Sequence, residues 1–238
     1  MVIKKLSIII PVYNEESTVC ELISKVVDVK LINEIDKEII IINDASSDKS
    51  REKIQKFMNE NKSIPIIFFN HEINQGKGGA IHTGIKAANG EYLIIQDADL
   101  ELNPDEFNIL LKPILDNYAD VVYGSRFLGK KPKSKFIHRL ANAFLTGLSN
   151  FVFRIHITDM ETCYKLMKTE TVRKISLKEK RFGFEPEITA KLAKVKGIRF
   201  AEIPITFNAR TELQGKKIGW KDGFRAIYCI LKYGWFSK

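Results

Sequence analysis

A chain of 238 residues, 45% hydrophobic and 28% charged, is long enough to bury one large α/β core. It has no low-complexity tract, which excludes a disordered or fibrous protein. The net charge of +9 is unevenly held: residues 1–125 carry 13 Lys and Arg against 20 Asp and Glu, whereas residues 126–238 carry 25 against 9. That swing points to an anionic partner for the second half: nucleic acid, a phosphorylated ligand or lipid headgroups. Cys20, Cys163 and Cys229 follow no metal-ligand spacing and suit a reducing compartment. No run of about 18 apolar residues is present to span a bilayer.

The first apolar run, Leu6–Val12, is too short for a signal peptide and reads as a strand, ending in Pro11-Val12-Tyr13-Asn14-Glu15. A helical stretch over 15–29 follows. The strand Glu38–Asn43 runs into Asp44-Ala45-Ser46-Ser47-Asp48, and a helix over 47–61 comes next. Pro65–Asn70 leads to Asn74-Gln75-Gly76-Lys77-Gly78-Gly79 and a helix over 77–89. Glu91–Gln96 runs into Asp97-Ala98-Asp99-Leu100-Glu101. A helix over 104–117 and the strand Asp120–Gly124, followed by Ser125-Arg126, close this half.

Strands that are apolar throughout and separated by helices predict an α/β fold, with a mostly parallel sheet covered by helices on both faces. Ligands of such sheets bind beyond the carboxyl ends of the strands. Four of those ends carry polar clusters. Taken singly, each has a plainer explanation: Asn14 or Ser46 can cap a helix, and Gly76–Gly79 can be a flexible turn. The glycine stretch is neither a Walker loop nor a G-x-G-x-x-G dinucleotide turn. Together the clusters predict one site along one sheet edge.

The acidic exit of the fourth strand sharpens that expectation. Asp97 follows the buried run Tyr92-Leu93-Ile94-Ile95-Gln96, where an unpaired carboxylate is costly. Asp97 and Asp99 are two apart, and an irregular exit lets both face one point. Hard oxygen ligands of this kind suit Mg²⁺ or Mn²⁺, which take further ligands from substrate phosphates. Glu101, Asp105 and Glu106 also fit a solvated helix N-terminus.

In the second half, Leu140–Phe153 holds 14 residues without a charge. Leu140, Phe144, Leu148, Phe151 and Ile155 make one helical stripe, with Arg139 and Arg154 at its ends. It is either a buried core helix or an interfacial one lying in a headgroup layer. The stretch from Asp222 to Lys238 repeats the pattern with Phe224, Ile227, Tyr228, Leu231 and Trp235, and Arg225, Lys232 and Lys238 lie near that face. Near an anionic leaflet each Lys or Arg contributes roughly 1 kcal/mol. His71, His82, His138 and His156 share no ligand spacing and read as surface or packing residues.

The pieces "SIIIPVYNE", "IIINDASSD", "NQGKGGAIHTGI" and "DADLELNPDE" stand in the order and spacing of the inverting family-2 glycosyltransferases of GT-A fold, which the chain resembles. The likeness continues through "VVYGSRF", "RLANAF", "ITDMETCYKLM", "FGFEPEI" and "ARTELQGKKIGWKDG", pieces similar to the polyprenyl-phosphate hexose synthases, the group of dolichyl-phosphate mannose and glucose synthases. One departure is Asn43-Asp44-Ala45-Ser46 in place of the usual Asp-Asp-Gly-Ser. The Gln-x-x-Arg-Trp element of processive synthases is absent.

The resemblance implies a GT-A-type nucleotide-sugar-binding fold with basic amphipathic C-terminal helices. Residues 1–125 would bind the donor, and residues 126–238 would form the acceptor and membrane-surface part of the same catalytic domain. It implies transfer of a hexose from a nucleotide sugar, of UDP-glucose or GDP-mannose type, to a polyprenyl or dolichyl phosphate. Pro11, Tyr13, Asn14, Glu15, Asp44, Gly76, Lys77, Gln96, Asp97 and Ala98 would contact the donor. Asp99 with Glu101 would hold Mg²⁺ or Mn²⁺ on the diphosphate. Asp97, Asp99 and Asp159 would form the catalytic set, Asp159 as a base or as a group that orients the acceptor. Arg126, Arg139, Arg210 and Lys217 would bind the acceptor phosphate. The enzyme would sit peripherally on the cytoplasmic face of a membrane and bind no nucleic acid. Two rivals remain: a family-2 enzyme acting on a soluble glycan or protein, and a basic nucleic-acid-binding α/β module.

Overall fold

Seven strands share one sheet in a computed structural model that describes residues 3–129, 136–209 and 220–236. In chain order the first half gives β1 (Lys5–Val12), α1 (Val19–Asp28), β2 (Asp36–Asn43), α2 (Ser50–Glu60), β3 (Ile66–Asn70), α3 (Lys77–Ala87), β4 (Tyr92–Ile95), α4 (Phe107–Leu115) and β5 (Val121–Ser125). The second half gives α5 (Phe136–Phe153), β6 (Lys165–Lys168), α6 (Thr169–Lys174), α7 (Phe184–Ala193), β7 (Phe200–Pro204) and α8 (Trp220–Leu231), which runs on into one wide turn over Lys232–Phe236.

The strands lie in the order β3-β2-β1-β4-β6-β5-β7. Strand β6 runs antiparallel to both of its neighbours, β4 and β5, and every other pairing is parallel. The second half therefore inserts a strand between two strands of the first, and the halves share one sheet.

The isoleucine runs explain the centre. Ile8, Ile9 and Ile10 of β1 pair with Ile39, Ile40 and Ile41 of β2, and five of the six are fully buried, Ile39 nearly so. Helices cover both faces, so β-branched side chains pack on each side of these strands. Helix α3 approaches so closely that a Cβ on Gly84 would lie 2.4 Å from Cγ2 of Ile9. Gly84 is the residue that permits this contact.

The expected strands and helices of the first half all form, with ends shifted by a few residues. Strands β6 and β7 carry no comparable signal. Strand β6 is four residues, KLMK, and opens on a lysine. Lys165 is nevertheless fully buried: its Nζ donates to the carbonyl of Met160 at 2.9 Å and to that of Thr162, and it lies 4.8 Å from the centre of the Tyr123 ring.

Helix α5 is neither wholly buried nor wholly exposed: it buries Asn142, Thr146, Ser149, Val152 and Phe153 and leaves Leu140 59%, Phe144 59% and Phe151 77% exposed. Leu148 and Ile155, from the same stripe, pack partly against the core. Helix α8 packs on α5 and leaves Phe224, Tyr228 and Trp235 exposed as well. Among the described residues, no helix is long and apolar enough to cross a membrane.

Candidate active site

The carboxyl ends of β1, β2, β3 and β4 converge through a chain of polar contacts. Beyond β1, Asn14 takes a left-handed backbone with φ of 54°, which asparagine tolerates better than most residues. Its amide donates to Oγ of Ser46 at 3.0 Å, and its Oδ1 accepts from the amide of Ser47 at 2.8 Å. Ser46 in turn donates to Oδ1 of Asn43 at 2.6 Å, and Asn43 donates to Oδ1 of Asn70 at the end of β3 at 2.7 Å. Neither Asn14 nor Ser46 caps a helix. They tie two strand exits together and hold Pro11, Tyr13 and Glu15 in place, with Tyr13 exposed and the other two half-buried.

Asp44 is almost wholly buried, and its carboxylate serves the next loop. Oδ1 accepts from the amide of Gln75 at 2.9 Å and meets Nδ1 of His71 at 2.7 Å, while Oδ2 accepts from the amide of Gly76 at 2.7 Å. With three protein partners on one carboxylate, Asp44 anchors the loop that leads to Lys77. His71, read from sequence as a surface or packing residue, belongs to the same network and also meets Oγ1 of Thr83 at 2.9 Å.

The glycines of that loop answer to a neighbouring segment. Gly76 has φ of +83°, and a Cβ there would fall 2.5 Å from the carbonyl oxygen of Lys180. A Cβ on Gly78 would fall 2.4 Å from that of Glu179, and the amide of Gly79 donates to the Lys180 carbonyl at 2.9 Å. The turn is thus pressed under residues 179–181 rather than left flexible.

Lys77 leaves this turn to reach the acidic exit of β4. Its Nζ lies 2.9 and 3.0 Å from the two carboxylate oxygens of Asp97 and 3.3 Å from Oε1 of Glu185 on α7. Burial opposes its charge, but Asp97, with Glu185 adding, outweighs this and holds the lysine well above its usual pKa. The positive group that Asp97 demands is therefore supplied by the chain itself. Gln96 is fully buried: its Oε1 accepts from the Tyr164 hydroxyl at 2.6 Å and its Nε2 donates to the Asp97 carbonyl at 3.0 Å. Ala98 is buried too, and its carbonyl accepts from Thr18 at 2.8 Å. These two residues shape the exit from within.

Leu100 then adopts φ of 61°, a strained conformation for a bulky side chain. This kink separates Asp99 from Glu101, both half-buried, and the Glu101 amide turns back to donate to Oδ1 of Asp99 at 3.1 Å. Two hard carboxylates at such an exit fit Mg²⁺ or Mn²⁺ on a diphosphate, because these ions take remaining ligands from phosphate and water. Among the described residues no group of three or more His, Cys, Asp or Glu is arranged to hold a metal ion.

At the end of β5, Arg126 forms a two-pronged pair with Asp159: Nε to Oδ2 and Nη2 to Oδ1 are both 2.7 Å, and the Arg126 amide also reaches Oδ2 at 3.1 Å. Asp159 is fully buried. The turn carrying it is held by Glu202 of β7, which accepts from the amides of Thr158 at 2.7 Å and Asp159 at 3.1 Å. Both Asp159 oxygens are thus committed to one guanidinium fork, which fixes the direction of the Arg126 side chain. Arg139 is half-buried on α5, and Arg210 and Lys217 lie outside the described residues.

Sequence reading gave no role to Glu161, Glu185 or Lys165, although all three sit in quoted motifs. Burial pushes the Glu161 carboxyl up to about 8, and the nearby Glu185 charge adds to this. Burial lowers the Lys165 pKa. The available signal was charge inside otherwise apolar stretches, "DMETCYKLM" and "FGFEPEI".

The profile described as Glycosyl transferase family 2 matches residues 7–176. The chain belongs to this family and is a glycosyltransferase. It is 31% identical over 226 residues to a dolichyl-phosphate beta-glucosyltransferase of Trichomonas vaginalis, covering 90% of this chain and 68% of that one. It is 29% identical over 237 residues to a dolichol-phosphate mannosyltransferase of Pyrococcus furiosus, covering 96% of this chain and 64% of that one. Glucosyl-3-phosphoglycerate synthase from Mycobacterium tuberculosis, crystallised with Mn²⁺, UDP and glucosyl-3-phosphoglycerate, superposes with a TM-score of 0.69 at 16% identity, over 97% of this chain and 80% of that one. A mannosyltransferase from Pyrobaculum calidifontis with GDP-Man and Mn²⁺ gives 0.62 at 17% identity, over 86% and 55%. These structures establish a shared GT-A fold.

Proposed function

We propose that this glycosyltransferase moves a hexose, with inversion, from a nucleotide sugar to a polyprenyl phosphate at a membrane surface. The observation that carries the lipid acceptor is the outward apolar face of α5 and α8, with Leu140, Phe144, Phe151, Phe224, Tyr228 and Trp235 exposed. Faces this apolar are rare on a free surface and suit a headgroup layer. The likeness to two dolichyl-phosphate hexosyltransferases supports the same reading.

In this reading Pro11, Tyr13, Asn14, Glu15 and Gly76 border the nucleoside, and Asp44 keeps the loop closed beside it. Asp97 faces the ribose and sugar, with Lys77 balancing its charge. Asp99 and Glu101 would hold Mg²⁺ or Mn²⁺, which when bound offsets negative charge on the departing nucleoside diphosphate. Arg126, aimed by Asp159, receives the acceptor phosphate, together with Arg139, Arg210 and Lys217. A phosphate oxygen attacks the anomeric carbon, and the bond from that carbon to the diphosphate oxygen breaks with its electron pair leaving on the nucleotide. The acceptor monophosphate has a second pKa of about 6 and needs positioning rather than a base.

The test is transfer of radiolabelled glucose or mannose from UDP- and GDP-sugars to a short-chain polyprenyl phosphate with Mn²⁺. Product stable to mild base and labile to mild acid is expected with lipid phosphate only. Equal transfer to a soluble glycan without lipid phosphate would overturn the acceptor assignment.

A further inference from the structure

Glu185, beside Lys77, and Glu161, close to Glu185, each bury a side-chain oxygen that no described residue hydrogen-bonds. Glu185, the second residue of α7, is 4% exposed; its Oε1 lies 3.3 Å from Lys77 Nζ, and its Oε2 is buried with no hydrogen-bond partner. Glu161, in the turn before β6, buries Oε1 with no partner either. Glu187, one turn-face away on the same helix, shows what a structural glutamate does here. It is fully buried and its oxygens take the amides of Lys178 and Glu179 at 2.9 and 2.7 Å and the Lys191 ammonium at 2.6 Å. Lys165, the nearest spare cation, spends its ammonium on two carbonyls and a ring.

We propose that Glu185 and Glu161 form a subsite that reads hydroxyl groups of the donor hexose, a specificity role that rests on the nucleotide-sugar reading above. The pairing of the charges selects this ligand. Lys77 is paired with Asp97, and Lys165 donates to two carbonyls, so neither is left to hold a phosphate beside the spare oxygens. Oε2 of Glu185 is a spare acceptor, and the neutral Glu161 carboxyl can both donate and accept. Together they suit an uncharged ligand rich in hydroxyl groups, which also donate and accept. Lys77 and Asp97, beside Glu185, keep 21% and 26% of their side-chain surface exposed, and in the nucleotide-sugar reading a hexose on a diphosphate approaches from that side. A buried acceptor left unpaired is costly, so a hydroxyl in the right place is favoured over an epimer that lacks it there.

The experiment is isothermal titration with Mn²⁺ present, using UDP, GDP, UDP-glucose, UDP-galactose and GDP-mannose, on the wild type, Glu185→Gln and Glu161→Gln. The wild type is expected to separate its preferred nucleotide hexose from the others. In each variant the free nucleoside diphosphate should bind within about twofold of wild type, while hexose selectivity falls by about tenfold, the scale of one hydrogen bond to a charged group. Selectivity kept within about twofold in both variants overturns the proposal, and so does a parallel loss of nucleotide and nucleotide-sugar affinity. Glu161 is only half-buried, so Glu161→Gln keeps the test decisive if Glu185→Gln fails to fold. A wild type that binds neither UDP nor GDP sinks the functional reading itself, whereas normal nucleotide binding with unaltered selectivity sinks this inference alone.

Discussion

Glu161 makes stability depend on pH in a direction opposite to most carboxylates. Its carboxyl rises from an ordinary 4.5 to about 8, through burial first and the neighbouring Glu185 charge second, with Lys165 and Arg126 pulling the other way and Asp159 adding to the rise. An acid whose folded pKa exceeds its unfolded value binds its proton more tightly in the native state. Its contribution is fully present below about 4.5 and is lost as pH climbs through about 8. One pKa unit corresponds to about 1.4 kcal/mol, so this gap sets a ceiling of about 5 kcal/mol. Partial exposure and the shared cluster with Lys165 bring the expected effect down to about 1–3 kcal/mol. Glu161→Gln keeps the shape of the neutral acid and removes the titration. Unfolding midpoints measured from pH 5 to 9 should fall less steeply with pH in the variant than in the wild type. At pH 8.5 the variant should melt higher by about 2–4 °C for each kcal/mol. Parallel slopes in the two proteins, or a variant less stable than wild type at pH 8.5, would refute this reasoning.

Asp159→Asn removes the charge that aligns Arg126 and should cost about 3 kcal/mol in denaturant titrations, since it strands a partly buried cation; an unchanged midpoint would contradict the fork. Asp44→Asn weakens the hold on the amides of Gln75 and Gly76, so both should exchange hydrogen faster and donor KM should rise more than kcat falls; unaltered exchange would count against the anchoring role. Asp99→Ala should abolish the strengthening of nucleoside diphosphate binding by Mn²⁺ while leaving the melting temperature within about 2 °C; full activity of the wild type in excess chelator would argue against any metal at this position. Phe144→Glu combined with Phe224→Glu should abolish sedimentation with anionic phospholipid vesicles and keep transfer to a short, water-dispersed acceptor; vesicle binding at wild-type level would remove the interfacial role of α5 and α8.

The first half was legible because its isoleucine runs are buried on both faces and alternate with amphipathic helices, a pattern that few other arrangements satisfy. The polar clusters at the strand ends were legible for the same reason, since each interrupts an apolar run. What stayed hidden was pairing between distant segments. That Lys77 meets Asp97 depends on a glycine turn pressed under residues 179–181, a contact across some hundred positions that no local spacing encodes. The Asp159–Arg126 fork is similarly remote. Strand β6 escaped notice because Lys165 opens it, and a lysine in sequence looks solvated until two carbonyls and a tyrosine ring are found around it. Helix α5 was recognised by its stripe, but only the structure shows that Asn142, Thr146 and Ser149 turn inward beside Val152 and Phe153 while much of the stripe stays exposed.

The basic residues of α8 also read differently in three dimensions. Arg225 and Lys232 lie near the apolar face in sequence, where they look like lipid anchors. In the structure both turn to Glu179, at 2.7 and 3.7 Å, which also accepts from the Tyr233 hydroxyl at 2.8 Å. Their charge is thus partly spent inside the protein, and Lys238 lies outside the described residues. In the proposed membrane-surface reading, attraction to an anionic leaflet would fall more to the other cations of the second half, with the exposed aromatic residues supplying depth. Glu179 has a second tie: its backbone carbonyl is the group against which Gly78 packs, one residue beyond Lys77. Helix α8 is consequently fastened to the segment that shapes the Gly76–Gly79 turn. With α8 in a headgroup layer, the Lys77–Asp97 pair would stand at a set height above the lipid, which is the geometry needed for a chain-borne phosphate to meet a soluble nucleotide sugar. The exposed half of the Arg225 side chain limits the strength of that tie to about 1 kcal/mol, so the packing of Tyr233 and Cys229, both buried, must carry the rest.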